Sequence, residues 1–160
     1  MENQENFCEY CGAKLAEDKV CRDLYNELSY YSLTHRDKDY FVHQHVVDAY
    51  GAQHASKEDK PMKIAFALIG LCLLVNYKYT GRQIQKAHVE LAKTRRVWPL
   101  FKAPEKKANI NISDILLTKT YSSRDALIKE WATAVWKTWE NQHQAVLLIV
   151  APYIAGKNNK

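Results

Sequence analysis

Apolar positions along this chain fall at helical spacing over most of its length. In residues 22–34, RDLYNELSYYSLT, Leu24, Leu28 and Tyr31 recur at steps of three and four, which places them on one helical face. The charged run His35-Arg36-Asp37-Lys38-Asp39 interrupts the pattern, and Phe41, Val42, Val46 and Ala49 restore it. The spacing predicts helices over 22–35 and 39–54, and the short turn between them makes them antiparallel neighbours. SKEDKP, residues 56–61, is a loop whose proline suits a first helical turn. Residues 62–77 are apolar nearly all round, which predicts a central helix. Tyr79-Thr80-Gly81 is a break, with Thr80 an N-cap for a helix to about residue 94.

The pattern then fades. VWPLFKAPEKKANI carries two prolines and no period, so residues 95–121 read as an irregular wrapping segment. Within it Ser113-Asp114 caps a short turn, ISDILL. Ser122 or Ser123 opens a last long helix over 123–151, rich in tryptophan. No stretch alternates convincingly as a strand does, and no repeat or glycine-rich phosphate loop occurs. The expected class is all-α. A single domain over 1–160 would hold about five helices: a hairpin over 22–54, a pair over 62–94 and the C-terminal helix.

Composition changes this picture little. The chain of 160 residues suits one core, and 47% hydrophobic with 26% charged residues is ordinary for a globular protein. The net charge of +5 is mildly basic. Its local clusters, Lys93-Thr94-Arg95-Arg96 and Lys102, Lys106 and Lys107, read as solvated loops. A nucleic-acid partner is possible but not favoured, because no recognition helix stands out. The longest apolar run, Ile64 to Val75, is shorter than the ~20 residues of a membrane span. The polar start MENQENFCEYCG is unlike a signal peptide, so a cytoplasmic location without membrane partners is expected.

In that compartment thiols stay reduced, and the four cysteines read as metal ligands or core. Cys8-Glu-Tyr-Cys11-Gly12 is a CxxCG knuckle: two thiolates three residues apart reach one tetrahedral metal, and the glycine allows the turn. Cys21 supplies a third thiolate, which leaves one position for histidine in a zinc knuckle over 8–21. Cys72, inside AFALIGLCLLV, is core.

The histidines crowd into HQHVVDAYGAQH, residues 43–54. His43 and His54 share a face of their helix but stand ~16 Å apart along its axis, too far for one metal. In an antiparallel hairpin Cys21 lies near His54, so the expected zinc ligands are Cys8, Cys11, Cys21 and His54. His143 and His43 are the alternatives for the fourth place. The remaining candidates for acid/base chemistry are His43, Asp48 and His143, with Tyr50 as a proton donor. Meeting across the bundle, His43 and His143 would form a second metal site or a proton relay. His43 and Asp48 face about 140° apart on an ideal helix, which opposes a shared target. Trp136, Trp139 and His143 share a face, either a core contact or a pocket wall.

Taken together, CEYCGA, the cysteine opening the first helix, FVHxxxVDAYxxQH, WPL, SDIL and WxxxVWxxWxxxH resemble a bacterial and archaeal family catalogued only as a domain of unknown function. The resemblance runs from Cys8 to about His143 and implies no activity. Ala55 stands where many members have proline after the QH pair, and His43-Gln44-His45 stands where many have a basic or histidine pair. A weaker likeness is to DinB-like metal-dependent bundles, which carry one histidine on the second helix and an HxxxH pair on the last. His43 matches the first and His143 one of the pair, while Trp139 and Leu147 stand four residues to either side of His143.

Two functions fit these residues. One is a binding or scaffold module stabilised by zinc, with a groove lined by Tyr30, Tyr31, Tyr50 and the tryptophans. The alternative is a small metal- or acid/base-dependent enzyme, a transferase or hydrolase, using His43, Asp48 and His143.

Overall fold

A computed structural model describes residues 4–34 and 40–158, so the turn expected at His35–Asp39 lies outside the described residues. The fold is all-α with a small knuckle at its N-terminal end. Seven α-helices occur among the described residues, more than the five expected, because one short helix forms and the last long one divides. The knuckle contains what the sequence pattern missed, a two-stranded antiparallel hairpin of β1 (Asn6–Phe7) and β2 (Lys14–Leu15).

The helix pair α1 (Cys21–Thr34) and α2 (Val42–Gln53) packs as the hairpin expected. α3 (Pro61–Tyr77) is the central rod, packed against α2 and, further along the chain, α4 (Gly81–Thr94), α6 (Tyr121–Thr138) and α7 (His143–Asn158). Its burial on several sides explains its nearly unbroken apolar sequence. Thr80 caps α4 through a reciprocal box with Gln83, as its position predicts.

Other caps differ from expectation. Short α5 (Ile112–Leu116) is capped by Asn111, not by Ser113-Asp114, and Asp114 closes a box from the N3 position. Helix α6 is capped by Thr120, upstream of Ser122 and Ser123, and its hydroxyl accepts from the Ser123 amide. In both cases the capping oxygen sits one or more residues earlier, where the backbone is still extended.

The single C-terminal helix expected over 123–151 is broken. α6 ends at Thr138, a 3-10 turn covers Glu140–Gln142, and α7 continues to Asn158. Three interactions replace the missing turn. The His143 ring lies flat on Trp136 at 3.7 Å, and its Nε2 takes the Trp136 carbonyl at 2.8 Å. The Trp139 side chain is buried at the break. The Gln142 side-chain amide accepts from the Lys102 amide at 2.8 Å and donates to the Lys102 carbonyl, fastening the wrapping segment to the break. Pro152 does not stop α7; its missing N–H leaves only the carbonyl of Leu148, an exposed position that water can reach.

Candidate metal centre

Four side chains converge where the knuckle meets the ends of α1 and α2. The CxxCG turn forms because Gly12 adopts a φ of 76°, which lets its amide reach the Cys8 carbonyl at 2.8 Å. The next amide, on Ala13, points at the Cys11 sulfur from 3.4 Å. Cys21 is the first residue of α1, and His54 follows the last residue of α2. The antiparallel hairpin therefore brings them together, as the sequence argument required.

The ligand atoms of Cys8, Cys11, Cys21 and His54 all lie within 4.8 Å of one another. Cys11 Sγ is 3.7 Å from Cys21 Sγ, and His54 Nε2 is 3.6 Å from Cys8 Sγ and 3.3 Å from Cys21 Sγ. Zinc bonds of about 2.3 Å to sulfur and 2.0 Å to nitrogen, at tetrahedral angles, place sulfurs about 3.8 Å apart and sulfur and nitrogen about 3.5 Å apart. The Cys11–Cys21, Cys8–His54 and Cys21–His54 separations lie close to those lengths. The three cysteines are buried and His54 is half-buried.

His54 is oriented from behind. Its Nδ1 lies 2.8 Å from the Tyr50 carbonyl, one helical turn earlier. A carbonyl only accepts, so Nδ1 carries the proton and the Nε2 lone pair faces the sulfurs. The Tyr50 ring stacks on the imidazole at 3.9 Å, and Tyr25 of α1 packs on Tyr50 at 4.4 Å. Tyr50, named from the sequence as a proton donor, holds the candidate ligand His54 through its ring and its carbonyl. The four-residue step from Tyr50 to His54 was the available signal. Among the thiols, Cys21 is pulled down to about 4 by its hydrogen bond with Cys11 and then by His54. Cys11 is pushed up by the same bond and by burial.

The acid/base candidates find separate partners. His43 Nδ1 pairs with Ser32 Oγ of α1 at 2.8 Å, and burial lowers its pKa. Asp48 accepts from Gln44 at 3.0 Å and faces Gly70 of α3. His143 is held by Trp136. No group of three metal-binding side chains includes any of these residues among the described ones. His43 and Asp48 thus point to different helices, as their angular separation on α2 implies. Burial pushes the Asp48 carboxyl well up and holds His45 down to about 4, disfavouring the charged form of each. Cys72 is core, its thiol raised to about 12 by burial.

Gln53 explains part of the VDAYxxQH motif. Its side chain accepts from Trp131 Nε1 and donates to the Ile110 carbonyl, both at 2.9 Å. One amide thereby joins α2, α6 and the wrapping segment next to the metal ligand His54.

Comparison with curated proteins and with solved structures finds no match. A family model described as a family of unknown function, DUF5946, matches residues 6–140. That span runs from β1 to the break after α6 and includes all four ligand residues and Gln53. The chain belongs to the DUF5946 family.

Proposed function

We propose that this protein is a helical binding or scaffold module in which one zinc ion, held by Cys8, Cys11, Cys21 and His54, has a structural role. The observation that carries the reading is the convergence of four soft or borderline donors within 4.8 Å of one another, three of their separations lying near tetrahedral edge lengths. Three thiolates and an imidazole select zinc over calcium or magnesium, which prefer oxygen. Four protein ligands leave no coordination position for water, so the ion holds structure and does no chemistry. Bound there, it ties β1 and β2 to the joined ends of α1 and α2. A compartment that keeps thiols reduced, such as the cytoplasm, suits this donor set. The enzyme reading built on His43, Asp48 and His143 draws no support from their separate partners.

Elemental analysis of the purified protein tests the proposal. One zinc per chain is expected, falling to substoichiometric in Cys11→Ser and to weaker, chelator-labile binding in His54→Ala. Full zinc retention in Cys11→Ser overturns the ligand assignment.

A further inference from the structure

A run of positive charge lies outside the candidate metal centre in residues 81–96, and Lys102, Lys106 and Lys107 follow it in the chain. Residues 81–96 carry Arg82, Lys86, Lys93, Arg95 and Arg96 against a single acid, Glu90, while the whole chain has a net charge of only +5. Glu90 is itself paired with Lys157 at 3.0 Å. On α4 the buried face is Gly81, Ile84, Ala87 and Leu91. Arg82, Lys86, Val89 and Lys93 lie on the opposite side within about 60° of arc and are all exposed. The helix therefore turns a basic stripe, with one valine in it, to solvent.

The chain leaves α4 as Arg95-Arg96-Val97-Trp98-Pro99-Leu100-Phe101-Lys102. Here the two most exposed large apolar side chains among the described residues occur three positions apart, Leu100 at 86% and Val97 at 80%. The loop that presents them is held in place. Trp98 meets Phe66 of α3 edge-on at 5.0 Å, and the Arg95 guanidinium lies 5.5 Å from its ring. The Arg95 Nε also donates to the Val97 carbonyl at 2.9 Å. Trp98 is thus the anchor, and Val97 and Leu100 remain outside.

We propose that α4 and the loop after it form a peripheral docking surface for an anionic lipid bilayer. Lysine and arginine beside exposed aliphatic side chains match a membrane interface. The cations meet acidic headgroups, and the aliphatic tips enter the boundary with the acyl chains. No helix of the described residues is long and apolar enough to cross a bilayer, and surface docking requires none. Nucleic acid would use the same cations but gives no place to Val97 and Leu100, which is why lipid is favoured. The inference supplies a partner for the binding-module reading and depends on a surface remote in sequence from the zinc ligands.

Co-sedimentation of the full chain with vesicles tests it, with zinc content measured on the same samples so that failure of the metal assignment is seen separately. The probes are phosphatidylcholine vesicles, and vesicles of phosphatidylcholine and phosphatidylglycerol mixed three to one. Binding to the anionic vesicles alone is expected, weakening as salt shortens the Debye length from about 10 Å to 3 Å. Lys86→Gln, Lys93→Gln and Arg96→Gln should each weaken binding about fivefold. Val97→Asp with Leu100→Asp should abolish it while circular dichroism and zinc content stay unchanged. Absence of binding to anionic vesicles at low salt overturns the proposal. So does undiminished binding by the double aspartate variant, and so does a duplex oligonucleotide held more tightly than the vesicles and insensitive to that variant.

Discussion

The Asp48 carboxyl occupies the space in which a side chain at Gly70 would begin: a β-carbon placed on Gly70 would stand 1.9 Å from Asp48 Oδ2. α2 and α3 approach closely at this point because one contributes a carboxyl and the other only hydrogen. Gly70→Ala must therefore displace a buried group, and a loss of about 3 kcal/mol is expected from overpacking. Asp48→Ala should relieve much of that loss in the double variant. Urea denaturation of the two single variants and the double variant measures the coupling; additive effects would show that the two positions do not meet.

Asp48→Asn probes the same carboxyl by pH. Burial raises its folded pKa well above 3.8, so the folded protein holds this proton to higher pH than the unfolded chain does. Its contribution is fully present below about pH 4 and lost as pH rises toward the folded pKa. The asparagine variant lacks this dependence. Relative to wild type it should gain stability between about pH 4 and 7, and a constant difference across that range would argue against a neutral Asp48.

His45 has the opposite sign. Burial holds it down to about 4, with the charge of Lys129 acting in the same direction. The unfolded chain takes up the proton first, near pH 6.5, so this stability is present above that value and lost as pH falls toward about 4. The full loss for so buried a ring is on the order of 3 kcal/mol. His45→Leu should flatten the fall in urea midpoint over that window. Both proteins keep the four candidate metal ligands, so the difference between the two curves isolates His45.

Legibility in the sequence followed the length scale of each interaction. α1 to α4 and the Thr80 cap were readable because spacing and caps are local. The convergence of Cys8, Cys11, Cys21 and His54 was readable because one short hairpin sets Cys21 beside His54. The break at Trp139 was not, since it depends on Gln142 binding Lys102 forty residues away and on the stacking of His143 over Trp136. His43, Asp48 and His143 were grouped by residue type, but their partners lie on α1, α3 and α6. The shared face of Trp136 and His143 was in the spacing, but nothing in a one-dimensional pattern reports that Ser32 and Gly70 stand opposite His43 and Asp48.

Gln53 offers a direct test of a motif residue that binds no metal. Trp131→Phe removes the donor to its half-buried side-chain oxygen. A loss of about 1–2 kcal/mol is expected. Gln53→Ala also frees the Ile110 carbonyl and should cost more, with faster amide exchange in residues 108–111. Zinc content should not change in either variant. Loss of zinc from Gln53→Ala would show that this amide supports His54 and not only the wrapping segment.

Zinc removal should loosen one end of the molecule and leave the rest folded. The knuckle is joined to the rest of the molecule through the four candidate ligands, the Tyr10 ring beside His54, the contact of Lys107 in the wrapping segment with the Glu9 carbonyl, and the packing of Cys8, Cys11, Ala13 and Leu15. By contrast α3 packs against α2, α4, α6 and α7 through side chains that need no metal, including Leu68, Ile69, Leu71 and Leu73. Zinc fingers unfold without metal because they lack such a core. Here chelation should lower the thermal midpoint while most helical circular dichroism persists at 25 °C. Hydrogen exchange should rise in β1, β2 and the facing ends of α1 and α2, and stay slow in the middle of α3. Complete loss of helical signal on chelation would mean that the four ligands stabilise the whole bundle, including helices that contact none of them.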